Sequence, residues 1–333
     1  MDQFRRNFLA TAAAALAAPT ILNRATARED GPGLDRVRSA VARFAELPVT
    51  TSCLVIADHP TAPWRLGHAQ DLRLFVGSAV KTFVLAQFLR AVEAGRLSEE
   101  QQMPINDAVR VPSSPVFLNL TGTTQARSGL EAMIAHSDNT ATDAVLAAVG
   151  PESVRALIRE AGLSATQIPD STRRLVSYLA GAPEGMDLGW EGLKQMAQGT
   201  SPVRARPALN EQETMASTAE DLVSWYRRAL RGDFFQDPAT LVEFKRIQAM
   251  ADVVSQVVPP DTVAYAKGGS LDWEGFHCFC LPGQMIVAEV PVTFCFTVNW
   301  TGPDEGVAGV FQAYKAAVGD VLKEAAQAVR EGG

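Results

Sequence analysis

Ser78 and Lys81 are the residues whose types and spacing first suggest chemistry. They lie in the segment "FVGSAVKTFVLAQFLRAVEAG", which runs from Phe75 to Gly95. Three residues apart, they would share one face of a helix. An amine beside a hydroxyl can act as the base that activates a serine, provided that burial or a nearby cation lowers its pKa. The structural alternative makes Ser78 a helix N-cap and lets Lys81 extend its stem over the apolar stripe, from the edge of that stripe into water.

Two later motifs carry polar groups that would complete such a site. "HSDNTATDAVL" places Ser137, Asp138 and Asn139 in a break between two predicted helices, where short polar side chains also serve as caps. "AYAKGGSLDWEG" places Lys267 to Ser270 inside a predicted strand. Glycines weaken a strand interior unless something must approach the backbone closely, and a bulge or hairpin turn is the structural alternative there.

Taken in order, the motifs S-x-x-K, S-D-N and a K-x-G variant resemble the signatures of the class A β-lactamases and penicillin-binding proteins. The resemblance implies a role for each of the following: Ser78, Lys81 and Ser137 in catalysis, the backbone amides of Ser78 and Ser270 as the oxyanion hole, and Asn139, Lys267, Gly269 and Ser270 in substrate binding. In detail, Ser137 would pass a proton to the leaving nitrogen. Asn139 would hold the amide side chain of the substrate, and Lys267 would attract its carboxylate.

The function that the resemblance implies is an exported serine hydrolase that forms an acyl-enzyme at Ser78 and hydrolyses a β-lactam. The alternatives are the same acyl chemistry on a cell-wall peptide, a linear amide or an ester, and a penicillin-binding sensor that is acylated without turnover. We expect a small-molecule or peptide-like substrate, a monomer, no cofactor and no metal. A Ser-His-Asp hydrolase is disfavoured because the sequence has no G-x-S-x-G motif.

Two departures from the family pattern concern substrate handling and release. Counting from Ser137, Arg173 stands where the family has the glutamate of its omega loop. The loop is also about 25 residues longer than a class A enzyme needs. The base for deacylation stays open among Asp170, Glu184, Asp187, Glu191 and Lys81. The second departure is Gly268, where the family usually has Thr or Ser, and this loss weakens the recognition of a substrate carboxylate although Ser270 can compensate.

The elements that must position these residues predict an α/β (α+β) fold. Apolar strands at both ends of the chain predict an antiparallel sheet built from both termini with flanking helices, and the helical patterns between them predict an inserted all-helical domain. We place the α/β part at 28–75 and 246–333 and the helical part at 76–245, nearly all of it helix. Helices are expected around Leu34 to Leu47 and from Pro303 to about Arg330.

The first residues indicate an export signal of the twin-arginine type. Arg5 and Arg6 precede a short apolar run, and Ala25-Thr26-Ala27 is an acceptable cleavage site. The alternative is a cytoplasmic N-terminal helix. We expect residues 1–27 to be removed, the protein to be periplasmic or secreted, and no stable insertion into the membrane.

Composition excludes some classes of function. The 333 residues are 47% hydrophobic and 20% charged with a formal net charge of −7, and without a basic run this disfavours nucleic acid as a partner. The scattered histidines and the lack of C-x-x-C or H-E-x-x-H disfavour a zinc hydrolase. In an oxidising compartment Cys295 could bridge to Cys278 or Cys280, but buried free thiols, including Cys53, are the favoured state.

Overall fold

The computed structural model describes residues 32–200 and 204–332. The predicted export signal, residues 1–27, lies outside the described residues. Within them the strands are β1 (Thr50–Ala57), β2 (Trp64–His68), β3 (Leu74–Phe75), β4 (Gln102–Ile105), β5 (Gly122–Gln125), β6 (Ala216–Ser217), β7 (Val263–Ala266), β8 (Gly269–Trp273), β9 (Phe276–Val287) and β10 (Val290–Thr301).

The helices lie before, between and after these strands. They are α1 (Pro32–Ala45), α2 (Lys81–Glu93), α3 (Ala126–Ala135), α4 (Asn139–Val149), α5 (Pro151–Glu160), α6 (Thr172–Leu179), α7 (Gly189–Ala197), α8 (Ala219–Ala229), α9 (Pro238–Gln248), α10 (Val254–Val257) and α11 (Val307–Arg330), with 3-10 helices at Gly77–Val80 and Asp304–Gly306.

One antiparallel sheet organises the fold. Its strands run in the order β2-β1-β10-β9-β7, and β8 also pairs with β9. Strand β1 lies between β2 and β10, so both ends of the described chain contribute to the sheet. Seven of the eight residues of β1 are buried, as expected for a strand covered on both faces. The predicted mixed fold, an antiparallel sheet from both termini with flanking helices, is confirmed.

Each face of the sheet packs against its own group of helices. On one face, apolar residues of β1, β9 and β10 form a core with α1 and α11. On the other face, a second core joins the sheet to the helices between β3 and β7, including α2, α4 and α8. The motif residues lie on the side of this second core, where α2, the start of α4 and strand β8 meet.

Three local expectations differ from the structure. Lys267 and Gly268 are not inside a strand but between β7 and β8, and the reason is Pro282 on β9. The Lys267 amide donates to the Pro282 carbonyl, but a proline has no N–H to return, so the ladder is interrupted there. The region 76–245 is also not all helix, since β4, β5, β6 and the turn-rich segment 106–121 lie within it. Finally, Lys81 is fully buried and not at the edge of an apolar stripe.

Candidate active site

Ser78 lies in the 3-10 helix Gly77–Val80, which leads directly into α2. Gly77 has a φ of +52°, a region that favours glycine. A Cβ atom built on Gly77 would lie 2.9 Å from the Ser270 carbonyl oxygen. Glycine is therefore required on both counts: it allows the turn, and it lets the turn touch strand β8.

Gly269 provides the matching contact from the strand. A Cβ atom there would lie 2.0 Å from the Val76 carbonyl oxygen and 2.9 Å from the Ser78 nitrogen, distances that no side chain tolerates. The first residues of β8 thus lie directly against the turn that carries Ser78. The two amides predicted to form an oxyanion hole, those of Ser78 and Ser270, are on these adjoining backbones.

Lys81 is 0% exposed, and its amine contacts oxygen atoms on the opposite wall. Its Nζ donates to the Ser137 carbonyl oxygen and to Asn139 Oδ1, both at 2.7 Å, and lies 3.3 Å from Ser137 Oγ. Desolvation lowers the pKa of Lys81 well below its usual value, and the nearby Lys267 adds to this, while Asp138 and Asp143 oppose it. In the neutral form, an amine has two N–H donors and one lone pair, so the two carbonyl oxygens would take the donors and leave the lone pair for a hydroxyl.

Asp138, the central residue of the S-D-N motif, is the N-cap of α4. Its Oδ1 accepts from the Ala141 amide at 2.7 Å, while its Oδ2 accepts from the amides of Val116 and Phe117 at 2.8 Å. Capping is therefore the role of Asp138, and its two neighbours are left to face Lys81. Ser137 has a φ of +57°, which is uncommon for a residue with a side chain and is often found at functional sites.

Lys267 brings a second buried amine to the same region. The side chain is 3% exposed, and its Nζ donates to the carbonyl oxygen of the adjacent Gly268 at 2.6 Å. Desolvation lowers the pKa of Lys267 to about 8, against the opposing charge of Asp252. It is therefore a cation at neutral pH that can lose its proton in mildly alkaline solution.

Asp143 is a buried residue of this region that the motif search missed. Its two carboxylate oxygens accept from the backbone amides of Thr172 (2.7 Å) and Arg173 (3.0 Å), which fixes the start of α6 against α4. Desolvation raises its pKa to about 6 even though these bonds and Lys81 favour the anion. Its sequence signal is a lone carboxylate within the apolar run "TATDAVLAAV", one turn after Asn139.

Arg173 occupies the loop position at which the family pattern has a glutamate. Its guanidinium is buried and binds both oxygens of Asp187, with Nε at 2.8 Å and Nη2 at 3.1 Å. The remaining nitrogen, Nη1, donates to the carbonyl oxygens of Asp107 and of Arg110, the latter at 3.2 Å. Each of the three guanidinium nitrogens thus donates to an oxygen atom, and Asp187 is held in a bidentate ion pair.

The other loop carboxylates considered as bases are ion-paired or exposed. Asp170 forms ion pairs with Arg155 and Arg174. Glu191 forms a surface pair with Lys194 at 2.8 Å, and Glu184 is exposed. In the described part of the chain, none of these three carboxylates is hydrogen-bonded or ion-paired to Ser78 or Lys81, and Asp187 is engaged by Arg173.

A cavity of about 680 Å³ opens beside the motif residues. Ser137 and the run Lys267 to Ser270 line one end of it. From there it extends past β8 and β9 to the start of α11, where Phe279, Phe311 and Tyr314 form an aromatic wall. The site therefore continues well beyond the three motifs.

Metal ligands and disulfides play no part in the geometry described. Across residues 32–200 and 204–332, no group of three or more His, Cys, Asp or Glu side chains is arranged to hold a metal ion. Cys53, Cys278, Cys280 and Cys295 are all buried free thiols, the state favoured from the sequence. Among the same residues, no helix has the length and apolar character needed to cross a bilayer.

A family model described as "Beta-lactamase enzyme family" matches residues 36–277, most of the chain. A curated relative, a beta-lactamase from Rhodobacter capsulatus, is 28% identical over 162 residues, which are 48% of this chain and 55% of the relative. The alignment thus spans only about half the length of that protein.

Solved structures share the fold. A beta-lactamase from Sphaerobacter thermophilus superposes with a TM-score of 0.68 at 20% identity and covers 89% of this chain and 98% of its own. A beta lactamase from Xanthomonas campestris gives 0.67 at 18%, with coverages of 89% and 98%. A mutant of PBP-A, solved as an acyl-enzyme complex with penicillin G, gives 0.64 at 15%, with coverages of 87% and 95%.

Proposed function

Because the chain belongs to the beta-lactamase enzyme family, we propose that it is a serine hydrolase that opens a β-lactam ring through an acyl-enzyme at Ser78. One observation carries the proposal: the buried Lys81 amine, whose pKa is lowered, is held by the Ser137 carbonyl and Asn139 one helical turn after Ser78. Because desolvation disfavours its charged form, such an amine can serve as the base that a serine hydroxyl needs in order to act as a nucleophile.

In the first half of the reaction, Ser78 Oγ attacks the lactam carbonyl carbon while its proton passes to the lone pair of Lys81. The backbone amides of Ser78 and Ser270 stabilise the oxyanion that forms. When the carbon–nitrogen bond breaks, the nitrogen takes a proton from Ser137 Oγ, and Lys81, 3.3 Å from that oxygen, returns the proton to Ser137. The product is an ester between Ser78 and the opened ring.

Substrate binding in this proposal depends on the residues around the two lysines. Lys267 attracts the substrate carboxylate, and Gly269 and Ser270 offer an extended backbone along which the substrate lies. The Asn139 amide nitrogen donates to the Ser113 carbonyl (3.1 Å) and hydroxyl (2.9 Å), which fixes the orientation of the residue proposed to hold the acyl side chain. Because Gly268 has no hydroxyl, the carboxylate depends more on Lys267 and Ser270.

The second half, hydrolysis of the ester, is where a second candidate function arises. Arg173 stands in place of the loop carboxylate and holds Asp187 in an ion pair, so neither residue is available to take a proton from water. This observation favours a penicillin-binding sensor that is acylated and releases the product slowly. If release is fast, Lys81 is the remaining candidate for the base, since its neutral form returns once Ser137 is reprotonated.

We also propose that the protein works outside the cytoplasm as a monomer. The paired arginines, the apolar run and the A-x-A site in the first 27 residues support export. A signal of the twin-arginine type belongs to an exported protein, and the substrates proposed here are met in the periplasm or outside the cell.

The test is a time course of intact-protein mass, from seconds to hours, after the mature protein is mixed with a penicillin and with a cephalosporin. Ser78→Ala is the matched control. An adduct confined to the wild type supports the acyl-enzyme, and its lifetime separates a lactamase, which clears it, from a sensor, which keeps it. Full activity in Ser78→Ala contradicts the proposal. No adduct and no substrate loss would redirect the same chemistry to esters and D-amino-acid peptides.

A further inference from the structure

The cavity beside Lys267 has walls that the proposed catalytic steps do not use. Its far end is formed by Val307, Ala308 and Phe311 of α11 together with Phe279 of β9. The rings of Phe279 and Phe311 lie with centroids 5.0 Å apart, and Phe279 also contacts Tyr314 at 5.7 Å. This end is therefore apolar and aromatic.

The charged side chains that line the cavity are mostly acidic. Asp252, Asp272 and Asp304 contribute carboxylates, and among the described lining residues Lys267 is the cation. The Asp304 side chain is 82% exposed and the Asp272 side chain 58%. A ligand that fills the cavity thus meets one positive charge at the catalytic end and carboxylates along the remainder.

Asp272 is already compensated by a histidine. His277 places Nδ1 2.8 Å from Asp272 Oδ1 and Nε2 2.9 Å from the Gly302 carbonyl, so both ring nitrogens face acceptors. Burial opposes the charged form, but the Gly302 carbonyl and the Asp272 carboxylate outweigh it and raise the pKa of His277 above its usual value. Asp304 Oδ1 also lies 3.7 Å from His277 Nε2, but its largely exposed side chain stays accessible to a ligand. Asp304 and Asp252 are therefore the carboxylates that face the cavity.

Two further positive features lie near the cavity. The first turn of α11 provides the positive end of a helix dipole, but Asp304 and Glu305 come directly before it and offset that charge. Lys315 lies over the Phe311 ring at 5.6 Å from its centroid, although it does not line the cavity. The Phe311 ring thus already binds a cation at one face, which shows the type of contact it can make.

The residues at the catalytic end of the cavity indicate which part of a substrate enters the cavity. Ser137 and Lys267 line the cavity, and Asn139 does not. On the proposed function, on which this step rests, Ser137 meets the leaving nitrogen and Lys267 the carboxylate, whereas Asn139 holds the acyl side chain. The cavity therefore continues from the leaving-group side of the substrate.

We infer that this cavity selects substrates whose leaving-group side carries a flat, positively charged substituent. A ring of this kind packs against Phe279 and Phe311, and its charge is attracted by Asp304 and Asp252. In a cephalosporin the substituent at C3 of the six-membered ring extends from this side, next to the carboxylate that Lys267 binds. A pyridinium at C3 combines the flat ring and the charge.

The experiment compares two cephalosporins that share a thienylacetamido acyl side chain, one with a pyridiniummethyl group at C3 and the other with a neutral acetoxymethyl group. The measured quantity is the second-order rate constant for the mass increase at Ser78, which needs no turnover. The ratio of the two constants is determined for the wild type, Asp304→Asn and Phe311→Leu. Differences in the intrinsic reactivity of the two compounds cancel when these ratios are compared.

We expect the ratio of the cationic to the neutral compound to fall about threefold in Asp304→Asn and about fivefold in Phe311→Leu, as exposed ion contacts and cation–π contacts require. Asp320→Asn, a surface carboxylate of α11 outside the cavity, keeps the wild-type ratio. Asp252→Asn provides a second charge variant if Phe311→Leu lowers the melting temperature. In 0.5 M NaCl the contribution of Asp304 should shrink.

A wild-type ratio that persists in Asp304→Asn, Asp252→Asn and Phe311→Leu overturns the inference and leaves the acyl-enzyme at Ser78 intact. Failure of both cephalosporins, and of a penicillin, to acylate Ser78 overturns the proposed function and this inference with it. A preference for the neutral compound that increases in Asp304→Asn supports the inference, since the carboxylate then favours the cation.

Discussion

Lys81 and Arg173 are both buried basic side chains that helices bring to the same region, yet their surroundings differ. Lys81 contacts two carbonyl-type oxygens and one hydroxyl, and no carboxylate bonds to it. Arg173 binds both oxygens of Asp187 and two backbone carbonyls. A buried amine without an ion-pair partner loses its proton easily, whereas a guanidinium has no acceptor and only donates. Burial therefore makes Lys81 a reactive group, whereas Arg173 serves as a fixed structural charge.

The strongest way to break this comparison is to replace each of the two basic side chains by methionine. In Lys81→Met, acylation at Ser78 should slow by about 10² to 10⁴, because the base that takes the serine proton is lost. Arg173→Met should leave the acylation rate within about threefold. Both rates come from the mass time course. Equal losses of acylation in the two variants would mean that Arg173 also acts on the substrate.

The same pair of variants should separate in stability. Arg173→Met leaves Asp187 and two backbone carbonyls without their donor, so the free energy of unfolding should fall by about 1–3 kcal/mol, reduced because Asp187 is partly exposed. Urea unfolding of wild type and variant measures the difference. Arg173→Lys, which keeps the charge but not the bidentate geometry, should recover only part of it. An unchanged midpoint would show that the ion pair does not hold the loop.

The backbone contact on the nucleophile side can be tested with two adjacent glycines. Gly269→Ala should slow acylation by about 10² to 10³, because its methyl group would overlap the Val76 carbonyl and displace the Ser270 amide from the oxyanion hole. Gly268→Ala is the matched control, since a Cβ there meets only Val253 side-chain atoms at 3.3 Å or more. A similar loss in both would point to general disruption of β8, which circular dichroism and the melting temperature would reveal.

The pH dependence of a third buried basic side chain, Lys267, sharpens the comparison. Its pKa of about 8 lies below its unfolded value, so the amine is charged at pH 7 and neutral above pH 8. The acylation rate constant for a penicillin should therefore fall about tenfold between pH 7 and pH 9 as the attraction for the carboxylate is lost. An ester substrate without a carboxylate is the control and should show no such decrease. The same decrease with both substrates would assign the titration to the chemistry.

The smallest effect is expected from the loop carboxylates. Asp170→Asn, Glu184→Gln, Asp187→Asn and Glu191→Gln should each leave the lifetime of the adduct within about twofold, because these groups are exposed or paired with arginine or lysine. Pulse-chase mass spectrometry measures the lifetime. A tenfold longer lifetime in any one of them would identify that carboxylate as the base for release and contradict the contrast between Lys81 and the loop.

The parts of the site that could be predicted from sequence depend on local spacing. Ser78 and Lys81 fall on one helical turn, and the break before α4 follows from short polar residues between two apolar patterns. The sheet could be predicted from long apolar strands at both ends. None of these features requires knowledge of which distant segment lies next to them.

The parts that could not be predicted depend on contacts between segments. The break at Lys267 is caused by Pro282 on another strand, and the pair of Arg173 with Asp187 forms only when the loop folds back on itself. Full burial of Lys81 likewise follows from packing by α4 and not from its own helix. Asp143 had a visible signal, a single carboxylate in an apolar run, whose partner amides belong to a different helix.

The contact between Gly77 and Ser270 joins two segments that lie far apart in the sequence and are therefore synthesised at different times. The turn with Ser78 is among the early segments, and β8 is among the last, so the two amides meet only after the final strands have docked. A partly folded chain would carry the serine and the lysine but would lack the proposed oxyanion hole. On the proposed function, acylation by a β-lactam would thus report completion of folding. Local opening of β8 alone would abolish acylation while most of the core stays folded.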